Sequence, residues 1–174
     1  MNDAPARLLA LAQRLGALLQ QRRWVLVTAE SCTAGGIAYA VTLVPGASAW
    51  FDRGVITYSN EAKQRMLGVP SAYLRDFGAV SEPVARAMAL GILQPSAAQV
   101  AIAVTGIAGP DGGTEDKPVG TVCFAWAMRR DSAAAHWVRT STRHFGGDRA
   151  AIRTQAIEAA LEVMSQLLEN REDV

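Results

Sequence analysis

Cysteine and histidine are scarce: the 174 residues hold two of each, Cys32, Cys123, His136 and His144. Neither pair has metal-motif spacing, because the chain carries no CxxC, no HExxH and no histidine cluster. Two distant thiols do not form the cysteine framework of a small secreted scaffold. Charge is thin as well. Charged residues make up 19%, the net charge is +1, and no block of Lys and Arg stands out. That excludes the clustered positive charge on which binding to nucleic acid or an acidic membrane depends. No apolar window is long enough to span a bilayer. The opening MNDAPARLLALAQRLG has repeated Arg and no continuous apolar stretch before a cleavage site, so no signal peptide is read. The expectation is a cytosolic protein. Three catalytic signatures are also absent: the GxSxG elbow, the GxxxxGK[ST] phosphate loop and the dinucleotide GxGxxG fingerprint.

What is present suits a well-packed globule. Half of the residues are apolar, and the length fits one domain over 1–174 with a substantial core. Leu8, Leu11, Ala12, Leu15 and Leu19 recur at helical spacing and predict an amphipathic helix over 5–22. WVLVTA (24–29) reads as a strand buried on both faces. ESCTAGG and the helical pattern after it complete a strand–turn–helix unit, which Pro45-Gly46 ends. RGVITY (53–58) reads as a second strand. Ser59 or Asn60 would cap a short helix carrying Lys63 and Met66, and Gly68 would stop it. Ser81-Glu82-Pro83 starts a helix to about Leu93, and QVAIAVTG (99–106) is another buried strand. GIAGPDGGTEDKP (106–118) must be a loop. Segments 119–128 and 134–145 alternate as an antiparallel hairpin across a turn at Arg129-Arg130-Asp131. The last helix, 148–169, buries Ile157, Ala160, Leu161, Met164 and Leu168. The predicted fold is a three-layer α/β/α sandwich around a mixed sheet of about five strands.

Chemistry concentrates in a few segments. In open α/β sheets, ligands bind beyond the carboxyl ends of the strands. Ser31 follows a strand there and precedes a helix, so the amides of Cys32 and Thr33 would face whatever Ser31 attacks. The same pattern fits Glu30-Ser31 merely capping the helix. Cys32 is a rival nucleophile at the same turn, with a thiol pKa that a helix N-terminus would lower. A serine nucleophile needs a base. With no Ser-His-Asp signature, Lys63 is the candidate if a desolvated pocket keeps it neutral, with Tyr58 to relay or orient the proton. Most lysines are solvated, which is the plain alternative. The glycine-rich loop is built to approach a ligand with its backbone. Arg149 and Arg153, one turn apart at the start of the last helix, fit either a phosphate site or a surface pair. Glu115 and Asp116 alone make no metal cage.

Five segments share one resemblance: TAESCTAGGIA, PGASAWFDRGVITYSNEAKQRMLGV, GAVSEPVARAMALG, VAIAVTGIAGPDGGTEDKPVGTV and FGGDRAAIR. In that order they closely resemble the CinA C-terminal domain family over roughly residues 24–165. The resemblance implies a three-layer α/β fold, a homo-oligomer and a cytoplasmic amidohydrolase. It would convert nicotinamide mononucleotide and water to nicotinate mononucleotide and ammonia, with no metal or other cofactor. The family's serine, tyrosine and lysine fall on Ser31, Tyr58 and Lys63. Glu30, Cys32, Thr33, Thr105 and Gly106 lie in matching motifs as pocket-lining candidates, and the loop glycines with Arg149 or Arg153 as candidates for the 5′-phosphate. The expected partner is a small-molecule nucleotide, with no nucleic acid and no membrane. The alternative is a non-catalytic nucleotide-binding or competence-linked regulatory module, since a fold does not guarantee activity. Two departures stand out. Ala34 occupies a position where the family often has Gly, a change a helix would tolerate. The chain also has no room for the larger N-terminal pyrophosphatase domain that many CinA proteins carry.

Overall fold

The valine-rich run after Trp24 forms the second strand from one edge of a five-stranded sheet with order β2-β1-β3-β4-β5. The computed structural model describes residues 4–129 and 136–170. Its elements are α1 (Ala4–Arg22), β1 (Leu26–Glu30), α2 (Gly36–Thr42), a 3₁₀ turn (Ala47–Ala49) and β2 (Phe51–Ile56), followed by α3 (Asn60–Leu67), α4 (Ser71–Phe77) and α5 (Glu82–Leu93). Then come β3 (Val100–Gly106), β4 (Thr121–Met128), β5 (Trp137–His144) and α6 (Arg149–Glu169). β1 runs parallel to both β2 and β3, whereas β3–β4 and β4–β5 are antiparallel. The sheet is therefore mixed, as its sequence pattern predicts. Among the described residues no helix is long and apolar enough to cross a membrane.

Strand alternation sorts the core into two layers of different grain. Ile102, Phe124, Trp126 and Met128 face α1, α2 and α6, where they join Leu15, Leu19, Ile157, Leu161 and Met164. The opposite face carries Ala29, Ala101, Ala103, Ala125 and Ala127 against Val84, Met88 and Ile92 of α5. Small residues there let one helix lie close on the sheet. The large face needs polar matching too: the Trp126 indole N–H donates to the Ala160 carbonyl at 3.0 Å, so its burial leaves no donor unpaired.

Several boundaries differ from the sequence reading. The second strand is Phe51–Ile56 rather than 53–58, so Tyr58 lies beyond its end. β2 is an edge strand whose middle residues are exposed, and Asp52-Arg53 look like turn residues when no buried alternation marks them. α4 has no buried residue, hence no apolar stripe to find. Ser59 caps α3 as expected by accepting from the Ala62 amide, but the Ser81 hydroxyl donates to the Gly78 carbonyl and caps nothing. The turn expected at Arg130-Asp131 lies outside the described residues.

Gly91 couples this packing to the position of α3. A Cβ at residue 91 would sit 1.9 Å from the Leu67 carbonyl oxygen, at the end of the helix that carries Lys63. Overpacking of this kind typically costs about 1–3 kcal/mol. Gly91→Ala should lower the urea unfolding midpoint accordingly.

Candidate active site

Chain topology creates the crevice. From β1 the chain crosses to β2 through α2 on one face of the sheet, and from β2 to β3 through α3, α4 and α5 on the other. Connections leaving in opposite directions open a cleft at the carboxyl ends of β1 and β3. It holds about 270 Å³, with Ser31, Cys32, Tyr58, Lys63, Thr105, Gly106 and Arg149 all in its wall.

Ser31 is 7% exposed and Lys63 1%. The Ser31 amide donates to the Val104 carbonyl at 2.9 Å, locking the residue to the end of β3. Lys63 Nζ donates to the Thr57 carbonyl at 2.7 Å and lies 3.1 Å from Ser31 Oγ. Among the described residues no carboxylate pairs with this amine. Burial holds the Lys63 pKa below the ordinary lysine value, and the Cys32 sulfur only partly opposes that. A neutral amine that spends one N–H on Thr57 has its lone pair free for the serine proton.

The surroundings of Cys32 disfavour its thiolate. The thiol is 4% exposed, and burial pushes its pKa up to about 12. The amides of Cys32 and Thr33 lean on the sulfur and pull the other way without prevailing. The lowering expected from a helix N-terminus does not occur, because α2 begins only at Gly36. Residues 31–34 are a tight turn instead, in which the Ala34 amide donates to the Ser31 carbonyl at 3.0 Å and Ala34 takes a left-handed φ of 50°. The sequence reading of Ala34 as a tolerated helical residue is corrected here: glycine would hold this conformation more cheaply.

The other expected residues separate into two groups. Arg149, at the start of α6, donates to the Gly109 carbonyl at 2.6 Å and to the Tyr58 hydroxyl at 2.9 Å, closing the mouth of the cavity. Tyr58 is 61% exposed and bonds to Arg149, not to Lys63 or Ser31. The proton relay expected of it has no contact to run through, because Tyr58 sits past the strand on the rim. Thr105 spends its hydroxyl on the Ala79 carbonyl at 2.9 Å. Gly106 is required by space, since a Cβ there would lie 2.8 Å from Val122 and 3.0 Å from the Cys32 sulfur.

Glu30, Thr33 and Arg153 are not in the cavity wall. The buried Glu30 carboxylate accepts from the Thr33 hydroxyl at 2.7 Å and from the amides of Ile37 and Ala38 at 3.0 and 2.9 Å, so it ties β1 to the start of α2. Arg153 donates to the Thr33 carbonyl from behind the turn.

Asn60, Ala79, Val80 and Asp111 also line the cavity, and the sequence reading named none of them for the site. Asn60 looked only like a cap, and the 78–80 link carries no residue type that marks chemistry. Among the described residues, no three His, Cys, Asp or Glu side chains converge as metal ligands. A larger groove of about 800 Å³ runs between α3, α4, α5 and β5; its hydroxyl–carboxylate contact, Thr140 donating to Glu82 at 2.6 Å, has no buried amine beside it as Ser31 has, so size does not select the site.

Comparison with known proteins supplies the lineage. The model of the CinA C-terminal domain matches residues 8–168. The nicotinamide-nucleotide amidohydrolase PncC of Escherichia coli K12 is 47% identical over 171 residues, covering 98% of this chain and 99% of that protein. Its Pseudomonas putida counterpart of the same name is 50% identical over 157 residues, covering 90% and 94%. A competence-damage inducible protein of Symbiobacterium thermophilum is 53% identical over 163 residues, covering 91% of this chain, which spans only 38% of that longer relative. Among solved structures, the competence damage-inducible protein A of Klebsiella pneumoniae superposes with a TM-score of 0.88 at 38% identity, covering 95% and 99% of the two chains. With a family model spanning nearly its whole length and relatives of near-half identity aligned end to end, the chain belongs to the CinA C-terminal domain family.

Proposed function

We propose that this protein is an amidohydrolase that cleaves the carboxamide of nicotinamide mononucleotide, giving nicotinate mononucleotide and ammonia through an acyl-enzyme on Ser31. The observation that carries the reading is the buried amine of Lys63, 3.1 Å from the Ser31 hydroxyl and without a carboxylate partner. Full-length relatives named as nicotinamide-nucleotide amidohydrolases support the choice of substrate.

The chemistry closes on these residues alone. Neutral Lys63 takes the Ser31 proton as Oγ bonds to the carboxamide carbon. The Cys32 amide has no backbone carbonyl partner among the described residues, and in this reading it donates to the oxyanion as charge develops. The Lys63 ammonium passes its proton to the amide nitrogen, the C–N bond breaks and ammonia leaves. Lys63 then takes a proton from water as hydroxide adds to the ester. It returns that proton to Ser31 Oγ when the acyl bond breaks. No oxidant, reductant or cofactor enters the balance. Tyr58 and Arg149 act at the mouth, where Arg149 and the loop glycines would hold the 5′-phosphate. The same reading places the enzyme in the cytoplasm as a homo-oligomer.

The test is ammonia release by the purified protein from nicotinamide mononucleotide, with nicotinate mononucleotide followed in parallel. Equal amounts of both products are expected. Absence of ammonia from this and related nicotinamide nucleotides, in a protein that is folded and binds them, would favour a regulatory module instead.

A further inference from the structure

Arg149 and Arg153 are one helical turn apart, yet they serve opposite sides of the nucleophile turn. Arg149 reaches into the catalytic cavity. Arg153 lines a separate hollow of about 400 Å³ behind the turn, with Ala34, Gly35, Tyr39 and Ile157. Its Nη2 donates to the Thr33 carbonyl at 2.9 Å. That carbonyl also accepts from the Gly36 amide at 3.0 Å, while the Thr33 hydroxyl is held by Glu30 at 2.7 Å. Thr33 is thus gripped through both its polar groups, from the strand on one side and from α6 on the other. The grip falls on a turn that resists its own shape, because Ala34 stands at a φ of 50° directly after Thr33. α6 also presses on the start of α2, where a Cβ on Gly36 would lie 2.4 Å from Ile157.

From these contacts we infer that Arg153 is a positioning residue for the hydrolysis, not a phosphate ligand. It holds the turn in the conformation that keeps Ser31 Oγ in register with Lys63 and keeps the Cys32 amide aimed at the developing oxyanion. Released from Arg153, the Thr33 peptide can rotate toward a conformation Ala34 prefers, and the nucleophile moves with it. Displacements of about 1 Å at a reacting centre cost on the order of 100-fold in rate.

This inference rests on the amidohydrolase reading, so its test carries a second readout that does not. Arg153→Met keeps the length of the side chain and removes its donors. Ammonia release from nicotinamide mononucleotide should show kcat lower by about 10- to 100-fold, with KM within about twofold and the pH profile unmoved. Arg153→Lys should recover part of the loss. Adding Ala34→Gly to Arg153→Met should also recover part, since glycine adopts the left-handed turn without a clamp. In parallel, the rate at which phenylmethanesulfonyl fluoride labels Ser31, followed by mass, should fall in Arg153→Met and return with Ala34→Gly. Labelling reports nucleophile geometry even if the natural substrate is another amide, so failure of the substrate reading leaves this result intact. A raised KM at unchanged kcat would instead make Arg153 a substrate ligand. Unchanged kcat and labelling, or a loss indifferent to Ala34→Gly, would equally overturn the inference.

Discussion

Lys63→Met is expected to lower kcat by about 10²- to 10⁴-fold, the range for loss of a positioned general base, and to raise stability at the same time. Both effects have one origin. The amine is almost wholly buried, and among the described residues its hydrogen-bond partners are the Thr57 carbonyl and the Ser31 hydroxyl. Its charged form is therefore disfavoured in the fold, and its pKa lies below that of an ordinary lysine. Between that lowered pKa and the ordinary value near 10.4, the unfolded chain binds more protons than the native one. Wild-type stability consequently rises with pH across this window, while below it the full cost of burying the ammonium is present. Methionine has no such cost. Urea titrations should show Lys63→Met more stable than wild type near neutrality, with the gap narrowing toward pH 10. Wild-type kcat/KM should rise with pH as Lys63 loses its proton. A buried lysine that served only packing would show the converging stability curves without the catalytic loss.

Ser31→Ala is expected to have the largest effect, a loss of about 10⁴- to 10⁶-fold in kcat, as for other enzymes stripped of their nucleophile. The informative companion is Cys32→Ala. The two residues share one turn, but their environments diverge. The serine is paired with an amine, whereas the thiol is pushed up to about 12 by burial and is a nucleophile only as thiolate. Steady-state rates should therefore collapse in Ser31→Ala and survive in Cys32→Ala. The reverse pattern would transfer the mechanism to the thiol.

Much of this arrangement was legible before any coordinates, and the reasons differ by residue. β1 and β3 announce themselves because both faces of each are buried and their runs are mostly apolar, whereas β4 is read from its alternation and its short link to the next strand. The candidacy of Ser31 followed from its place just after such a strand. Its pairing with Lys63 was not visible in spacing, because it depends on α3 docking across the end of the sheet, and Leu67 and Gly91 set that docking. Tyr58 lines the same cavity as Ser31 and Lys63, but its hydroxyl pairs with Arg149 of the last helix, a contact that spacing does not display. Arg149 and Arg153 lie one turn apart, and both stood as candidates for the same phosphate. They part company because the nucleophile turn passes between them, and a turn whose shape depends on a left-handed alanine leaves no periodic trace. The plain reading of Glu30-Ser31 as a helix cap holds for Glu30, whose carboxylate accepts from the amides of Ile37 and Ala38 at the start of α2.

The central claim is that Ser31 becomes covalently acylated during turnover. Acid-quenched wild-type protein mixed with nicotinamide mononucleotide should be heavier by the mass of the nucleotide less ammonia, and peptide mapping should place that mass on Ser31. Turnover accompanied by the same mass on Cys32, or undiminished turnover by Ser31→Ala, would contradict the account.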